Sequence, residues 1–390
     1  MKPLRLKKGE ARRLRAGHPW IFSNEIQDPV KAFEPGEIVD VLDGGGRLVG
    51  RGYVNPRTLI AVRLLSRRAE PIDEAFFARR LQAAEAWRRR LLPPLQAYRV
   101  AYSEADYLPG LIVDRYGPVL VVQVLTAGME RLLPALKEAL LKVLDPEVIV
   151  LRNDSAYRAL EGLPLERQVL VGALSGPVVI EEHGLAYEVD VQEGQKTGFY
   201  LDQRENRLAL RSVVRGGRVL DAFCYTGAWG LNAAAAGATE VVGVDSSGRA
   251  LELARRNAAR NSLEARCRFV EEDVFRFLRA AEAAREQFDC VILDPPSFIR
   301  NRAQVREGLR GYKEINLRAL HLLRRGGLLV TCSCSHHLDR QALLAVAAAA
   351  AHDARVGLRL LEYRSQARDH PVLPQAPETD YLKCAIFMLD

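Results

Sequence analysis

The sequence predicts an α/β protein with a doubly wound, mostly parallel sheet in its C-terminal half, preceded by a β-rich domain and a small α+β domain. From about residue 192 onward, short β-type segments alternate with alanine-rich helical segments, which is typical of a parallel sheet covered by helices. These β-type segments are Arg218–Phe223, Glu240–Asp245, Arg266–Val270, Phe288–Leu293 and Leu328–Cys332. We therefore predict three domains, over residues 1–70, 71–190 and 191–390.

The first two domains are predicted from turn-forming residues and from hydrophobic periodicity. In the first, Pro35-Gly36 and Asp43–Gly46 punctuate short β segments at Glu37–Leu42, Leu48–Val54 and Leu59–Leu65. A helix over Asp73–Leu92, ended by Pro93-Pro94, opens the second domain. Its remaining predicted elements are a helix at Met129–Leu144 and strands at Leu111–Asp114, Val119–Leu125, Val148–Arg152, Val169–Val171 and Ala186–Val191.

The composition is that of a globular protein, with 48% hydrophobic and 27% charged residues in a chain of 390. The longest apolar run, Ala342–Ala351, is too short to span a bilayer, and Met1–Arg5 lacks the apolar core of a signal peptide. Six cysteines occur without a CxxC motif or a framework spacing. We therefore expect a cytoplasmic protein that binds neither a membrane nor a metal.

Positive charge is concentrated in two short regions. The chain has 56 Lys and Arg against 49 Asp and Glu, a net charge of +7. Residues 1–20 hold seven Lys or Arg and one Glu, and residues 79–99 hold six Arg and one Glu. Such local excess is typical of a surface that binds a polyanion. A genome that favours arginine codons is the alternative explanation for the excess of basic residues in the chain as a whole.

The first turn of the α/β region, Val219–Gly230, runs from a strand through small residues into a helix, so that backbone can approach a ligand. It contains neither a full GxGxxG nor a Walker lysine, which weakens the NAD and ATP interpretations. Asp221, Asp245 and Asp273 then lie at the ends of three successive strands. Taken singly, each acid could be a helix cap. Together they fit an adenosine ligand, with Asp245 accepting from ribose hydroxyls and Asp273 from the adenine amine.

The fourth strand ends in Asp294-Pro295-Pro296-Ser297-Phe298, whose two prolines make a rigid turn at the same edge. With the preceding acids in order, residues 192–390 resemble Rossmann-like S-adenosylmethionine-dependent methyltransferases. The resemblance implies S-adenosylmethionine as cofactor. The residues it implies for the cofactor site are Lys196, Thr197, Phe199, Asp221, Phe223, Tyr225, Gly227, Asp245, Ser246, Asp273 and Asp294.

The segment Thr331–His337 bears on which atom is methylated. Carbon 5 of a pyrimidine becomes nucleophilic only after a thiolate adds to carbon 6, so such an enzyme needs a thiol near the cofactor and an acid facing the ring. Cys334, on the strand after Asp294, supplies the thiol, but Cys332 shares its strand face, and alternation does not choose between them. The Cys and His side chains of this segment could also form half of a metal site, but the sequence has no second pair of ligands at a suitable spacing. Core packing is predicted for Cys267, Cys290 and Cys384.

Nearly the whole chain resembles the bacterial 23S ribosomal RNA 5-methylcytosine methyltransferases that carry an N-terminal PUA domain. The matching motifs are Arg5–Arg15, His18–Phe22, Arg51–Pro56, Leu108–Gly117, Lys196–Arg207, Asp294–Phe298, Arg310–Asn316 and Thr331–Ser335. The resemblance implies that Cys334, in the Ser-Cys-Ser triplet, is the nucleophile and that Asp294 binds the cytosine edge. Cys332 lies in a Thr-Cys-Ser triplet like one that a related methyltransferase group uses. The resemblance also suggests a homodimer.

Basic side chains of the PUA-like domain and of the following helix are predicted to bind the phosphates of ribosomal RNA, although a solvated face is the alternative. They are Lys7, Arg12, Arg13, Arg15, Arg79 and Arg88. Two other functions are open. A purine nitrogen methyltransferase could use the same sheet, but it needs no thiol, so Cys334 argues against it. A non-catalytic RNA-binding or assembly module would not need the four strand-end acids.

Overall fold

The computed structural model describes all 390 residues, and contacts within the chain divide them into two compact units. Unit 1 comprises Met1–Ile180, Val189–Leu201 and Arg368–Thr379, and unit 2 comprises Glu181–Glu188, Asp202–Ala367 and Asp380–Asp390. The first and most of the second predicted domain thus fall in unit 1. None of the helices is long and apolar enough to cross a membrane.

Unit 1 is built on two five-stranded sheets. Its elements are β1 (Lys2–Arg5), α1 (Ala11–Arg15), β2 (Trp20–Phe22), β3 (Glu37–Leu42), β4 (Leu48–Val54), β5 (Ile60–Ser66), α2 (Glu74–Leu91), β6 (Ala97–Tyr102), β7 (Leu111–Tyr116), β8 (Val119–Val124), α3 (Ala127–Arg131), α4 (Leu133–Leu144), β9 (Val148–Asn153), α5 (Tyr157–Glu161) and β10 (Glu166–Val171). The strand orders are β1-β3-β4-β5-β2 and β10-β9-β8-β7-β6. The predicted helix over 129–144 is broken at Leu132, so α3 and α4 are separate helices.

The two sheets of unit 1 share a core. Tyr53, on β4, is fully buried in the hydrophobic cluster of the second sheet, and its hydroxyl donates to the Pro109 carbonyl at 2.9 Å. The ring passes so close to Gly128 that a Cβ there would lie 1.9 Å from a ring carbon. Only glycine fits at that position, and the β-rich region is therefore packed as one body with the middle sheet.

Unit 2 is built on one seven-stranded sheet. A two-stranded hairpin, β11 (Val178–Glu182) and β12 (Leu185–Val189), spans the division between the units in the chain. The elements of unit 2 after it are α6 (Arg204–Val213), β13 (Arg218–Ala222), α7 (Ala228–Ala235), β14 (Glu240–Asp245), α8 (Gly248–Arg260), β15 (Cys267–Glu271), α9 (Val274–Ala283), β16 (Phe288–Leu293), α10 (Val305–Leu322), β17 (Leu323–Ser333), α11 (Arg340–Ala354), β18 (Leu358–Arg364) and β19 (Lys383–Leu389). The strand order is β15-β14-β13-β16-β17-β19-β18.

The strand order confirms the predicted fold class. Strands β13 to β17 are parallel, as the alternating pattern predicts, and β19 is antiparallel to both of its neighbours. The order reverses at β13, which lies between β14 and β16. In sheets of this kind ligands bind at the carboxyl ends of the strands beside such a reversal. All the predicted acids of unit 2 follow or end strands at this edge.

Candidate active site

Asp221, near the end of β13, is fully buried and only partly hydrogen-bonded. Its Oδ2 accepts from the backbone N–H of Gly230 at 2.8 Å, whereas its Oδ1 has no partner within the protein. Burial, with the nearby carboxylates of Asp294 and Asp245, raises the pKa of Asp221 to about 8. A buried oxygen without a donor is costly, so this atom fits a ligand that brings one.

The turn after β13 is held in an unusual backbone conformation by the next strand. Phe223, Tyr225 and Gly227 all have positive φ, at 65°, 49° and 79°. Such angles cost free energy in residues other than glycine and persist only where neighbours enforce them. Asp245, at the end of β14, supplies that constraint: its Oδ2 accepts from the Tyr225 N–H at 2.9 Å and its Oδ1 from the Ser247 N–H at 3.0 Å.

Two predicted cofactor residues lie on the exposed rim of this edge. Ser246, next to the half-buried Asp245, is exposed. Asp273 is exposed and caps α9, because its Oδ1 accepts from the Arg276 N–H at 3.0 Å. The helix-cap alternative considered for each acid therefore describes one oxygen of Asp273, and the other oxygen is left for a ligand.

Asp294 follows β16 directly, and its carboxylate is held by two side chains. Gln203 Nε2 lies 3.1 Å from each carboxylate oxygen, and Trp229 Nε1 donates to Oδ2 at 2.9 Å. Gln203 is itself fixed, since its Oε1 accepts from Asn206 Nδ2 at 2.7 Å. Sequence reasoning assigned no role to Gln203 or Trp229, although Gln203 lies within the matched motif Lys196–Arg207 and Trp229 within the turn Val219–Gly230.

The two candidate cysteines lie in different surroundings. Cys332, on β17, is fully buried and pairs across the strands with Cys384. Burial raises the pKa of the Cys332 thiol well above its ordinary value. Cys334 lies one residue beyond the end of β17 and is half-buried. The strand pattern could not separate them, because the difference arises from where β17 ends.

Hydroxyl groups join the loop that carries Cys334 to the turn that follows Asp294. Ser335 Oγ lies 2.9 Å from Ser297 Oγ and 3.0 Å from the hydroxyl of Tyr312, which in turn accepts from Ser333 Oγ at 2.9 Å. Tyr312 lies on α10, inside the predicted motif Arg310–Asn316. The hydroxyl network therefore fixes the backbone on both sides of Cys334 next to the proline-proline turn.

Three of the predicted cofactor residues belong to unit 1. Thr197 is fully buried, and its Oγ1 donates to Asp114 Oδ2 at 2.6 Å and lies 2.8 Å from the hydroxyl of Tyr116. Phe199 is 2% exposed. Lys196 has φ of 52° and holds its amine 4.2 Å from the centre of the Tyr200 ring. Their predicted contact with a cofactor stays a prediction.

The basic residues predicted to bind RNA differ in how far they are already paired. Arg88 is 1% exposed, and its guanidinium is bound to Asp106 at 2.7 Å and to the Asp369 carbonyl at 2.9 Å. Arg12 is exposed and makes no ion pair. The others each bind an oxygen: Lys7 the Asn24 carbonyl, Arg13 the Glu25 carboxylate, Arg15 the Asp43 carboxylate and Arg79 the Glu70 carboxylate.

No group of three or more His, Cys, Asp or Glu side chains lies close enough together to hold a metal ion. Among the cysteines other than Cys334, burial raises the thiol pKa of Cys224, Cys267 and Cys290, to about 12 for Cys267. Cys224 and Cys290 are buried in the core and Cys267 is half-buried. These thiols are therefore protonated near neutral pH.

Comparisons with known proteins match both ends of the chain. A PUA-like domain model matches residues 4–67, and an S-adenosylmethionine-dependent methyltransferase model matches residues 134–386. Ribosomal RNA large subunit methyltransferase I of Salmonella arizonae is 42% identical, covering 97% of this chain and 95% of that protein. The protein of the same name from Escherichia coli O139:H28 is also 42% identical, covering 97% of each chain.

Solved structures support the fold across the whole chain. A candidate SAM-dependent methyltransferase from Streptococcus mutans superimposes with a TM-score of 0.85 at 21% identity, covering 100% of both chains. The SAM-dependent methyltransferase from Agrobacterium tumefaciens gives a TM-score of 0.53 at 20% identity, over 76% of this chain and 90% of that one. At these identities the likeness concerns the fold alone.

Proposed function

The chain belongs to the family of S-adenosylmethionine-dependent methyltransferases that includes ribosomal RNA large subunit methyltransferase I, and we propose that it methylates carbon 5 of a cytosine in 23S ribosomal RNA. S-adenosylmethionine is its cofactor. The observation that carries the cytosine proposal is the hydroxyl network joining the Cys334 loop to the turn after Asp294, through Ser297 and Ser335.

The sheet edge of unit 2 fits the cofactor. Asp221 Oδ1 is a buried acceptor that lacks a donor, and Asp245 binds the N–H of Tyr225 in the turn that has positive φ at Phe223, Tyr225 and Gly227. We propose that Asp221, Asp245 and Asp273 hold the cofactor, with Ser246 beside them. When bound, S-adenosylmethionine supplies an electrophilic methyl group. The protein's own task is then to make the acceptor carbon nucleophilic.

We propose that the Cys334 thiolate does this by adding to carbon 6 of the cytosine. The new C–S bond gives carbon 5 enamine character. After carbon 5 has been methylated, its proton is lost and the C–S bond breaks, which restores both the aromatic ring and the thiolate. The burial of Cys332 supports this choice, because a thiol with a raised pKa in a core between strands supplies little thiolate.

The proposed role of Asp294 is to bind the exocyclic amine of the cytosine. An ionised carboxylate only accepts hydrogen bonds, and a cytosine presents an N–H donor there. Gln203 and Trp229 hold the carboxylate in place through N–H groups. Such support from a rigid element preorganises the group that meets the substrate.

The ribosomal RNA substrate is proposed from the relatives, which are named for it, and from the basic surface of unit 1. A base within folded RNA must be extruded before a thiolate can reach carbon 6. Exposed Lys7 and Arg12 are proposed to bind phosphates, together with Arg13, Arg15 and Arg79 where these exchange their present partners. Arg88 is left out of this proposal, because its guanidinium is buried on Asp106. The homodimer stays a prediction.

An RNA that carries 5-fluorocytosine at the target position tests the proposal. Fluorine blocks the proton loss that releases the enzyme, so the protein should become covalently linked to the RNA. Cys334→Ala should abolish both the adduct and methyl transfer, whereas the matched variant Cys332→Ala should keep both. Methyl transfer by a protein lacking both cysteines would contradict the thiolate mechanism and favour methylation of a purine nitrogen.

A further inference from the structure

Lys383 is a buried lysine at the loop that carries Cys334. It is the first residue of β19 and pairs in register with Ser333, the last residue of β17. Its Nζ donates to the Ser335 carbonyl at 2.7 Å and to the Tyr381 carbonyl at 2.7 Å. The side chain therefore crosses the sheet edge and binds the backbone immediately after Cys334.

Lys383 is buried without an ion pair. The residue is 6% exposed and makes no ion pair with any carboxylate. An ammonium has three N–H donors, and two of them are used on backbone carbonyls. A cation buried without a counter-ion is costly, so a nearby anion would stabilise it.

Three charged or titratable groups act on Lys383: Asp380 precedes β19, Asp339 caps α11, and Cys334 follows β17. Tyr312, on α10, lies on the other side of the loop, with its hydroxyl 3.0 Å from Ser335 Oγ. Burial lowers the pKa of the Lys383 amine, while Asp380, Cys334 and Asp339 each raise it. Asp380 and Asp339 are exposed, and Asp339 Oδ1 is engaged with the Ala342 N–H at 2.8 Å. The ring of His336 is tilted against that of Tyr381, with the ring centres 6.1 Å apart.

Cys334 differs from these exposed carboxylates because it is half-buried and immediately precedes Ser335, whose carbonyl binds the Lys383 amine. We propose that the ammonium of Lys383 is the positioning residue that stabilises the thiolate of Cys334, both by its charge and by fixing the loop through the Ser335 carbonyl. The inference rests on the proposed role of Cys334 in methyl transfer. It adds a cation to the site, which the sequence motifs around the nucleophile do not contain.

The rate of alkylation by iodoacetamide as a function of pH tests this inference without RNA or turnover. The modified Cys334 is followed by tandem mass spectrometry between pH 6 and 10, and Cys334→Ser gives the background. Lys383→Met should raise the apparent pKa of Cys334 by about one to three units, because an opposite charge close by shifts a pKa by that amount. Lys383→Arg, which keeps the cation, should leave the apparent pKa of Cys334 close to its wild-type value.

Matched controls separate this effect from a general disturbance. Lys313→Met removes a half-buried lysine that pairs with Asp353 at 2.7 Å and should leave the alkylation profile of Cys334 unchanged. If Lys383→Met does not fold, Lys383→Gln, whose amide still donates to a carbonyl, serves in its place. Binding of S-adenosylmethionine by the variant shows that unit 2 is intact.

The possible outcomes distinguish this inference from the proposed function. An unchanged Cys334 pKa in a Lys383→Met protein that binds S-adenosylmethionine overturns the role of Lys383, even if the 5-fluorocytosine adduct forms. A raised pKa together with a slower adduct that Lys383→Arg rescues supports it. Failure of the wild-type protein to form the adduct overturns the proposed function instead, whatever the alkylation profile.

Discussion

Unit 1 and the sheet edge of unit 2 both bury carboxylates, but they compensate the charge differently. In unit 1, Asp106 is paired with Arg88 and Asp114 with Arg99, each at 2.7 Å. In unit 2, Asp221 and Asp245 accept hydrogen bonds from backbone N–H groups and make no ion pair. A carboxylate with a bidentate arginine has its charge already compensated, whereas one held by one or two backbone amides can still bind a ligand.

Burial of charge alone therefore does not identify a site in this protein. Asp114 is as buried as Asp221, yet its partners Arg99 and Thr197 make it part of the framework of unit 1. Asp221 keeps a free oxygen, and its pKa is raised to about 8. A raised carboxyl pKa beside the ligand-binding edge of such a sheet is typical of functional residues.

The largest effect, on stability, is expected from removing one partner of a buried ion pair in unit 1. Arg99→Met leaves Asp114 buried without its cation, and loss of one partner of a buried ion pair costs about 3–5 kcal/mol. The urea midpoint of unit 1 should fall accordingly. As a control, Lys142→Met removes a pair with Glu74 whose side chains are 65% and 43% exposed, and it should cost less than about 1 kcal/mol. Equal effects of the two variants would contradict the comparison.

The second effect concerns the carboxylates of unit 2 that are held by backbone N–H groups and make no ion pair. Asp245→Ala removes the acceptor proposed for the ribose hydroxyls and releases the Tyr225 N–H, so the affinity for S-adenosylmethionine should fall about tenfold or more. Calorimetric titration measures it. Asp353→Ala, on an exposed pair with Lys313, is the matched control and should bind normally. Unchanged affinity of the Asp245→Ala protein would remove Asp245 from the site.

A third effect is the pH dependence of stability that Asp221 introduces. The folded state holds this proton up to about pH 8, whereas an unfolded carboxyl releases it near pH 4. The folded state thus binds more protons between these values, and stability falls as pH rises through the window. Asp221→Asn has no carboxyl group to titrate at this position. Without cofactor, the melting temperature of the variant minus that of wild type should therefore increase from pH 5 to pH 8.5. A constant difference would contradict the raised pKa.

The sequence predicts the acid-bearing sheet edge of unit 2 better than it predicts the packing of unit 1. Alternating strands and helices, with an acid at each strand end, predict the fold class and the positions of Asp221, Asp245 and Asp294, because period and spacing are local signals. The shared core of unit 1 is not predicted, since the contact of Tyr53 with Gly128 joins residues far apart in the chain. The antiparallel strands β18 and β19 were also missed.

The supporting residues of the site were missed for the same reason. Gln203 reaches Asp294 from the segment before α6 and Trp229 from α7, and Lys383 reaches the Cys334 loop from β19. Each is an ordinary polar or aromatic residue in its own stretch of sequence. Only the packing of three distant segments gives them a partner, and no local pattern carries that information.

The smallest effect concerns the exposed cations of unit 1. It tests whether a cation without an ion pair there belongs to an RNA-binding surface. Arg12 makes no ion pair, whereas Arg13 is bound to Glu25 at 3.0 Å. RNA affinity falls as salt rises, and Arg12→Ala should reduce the magnitude of the slope of log affinity against log salt concentration by about 0.7–0.9 for one lost phosphate contact. Arg13→Ala should lower it less, because Glu25 already compensates that guanidinium. Point variants are needed here, because deletion of the first 70 residues would remove Tyr53 from the shared core. Equal slopes for wild type and Arg12→Ala would mean that this cation does not bind the RNA.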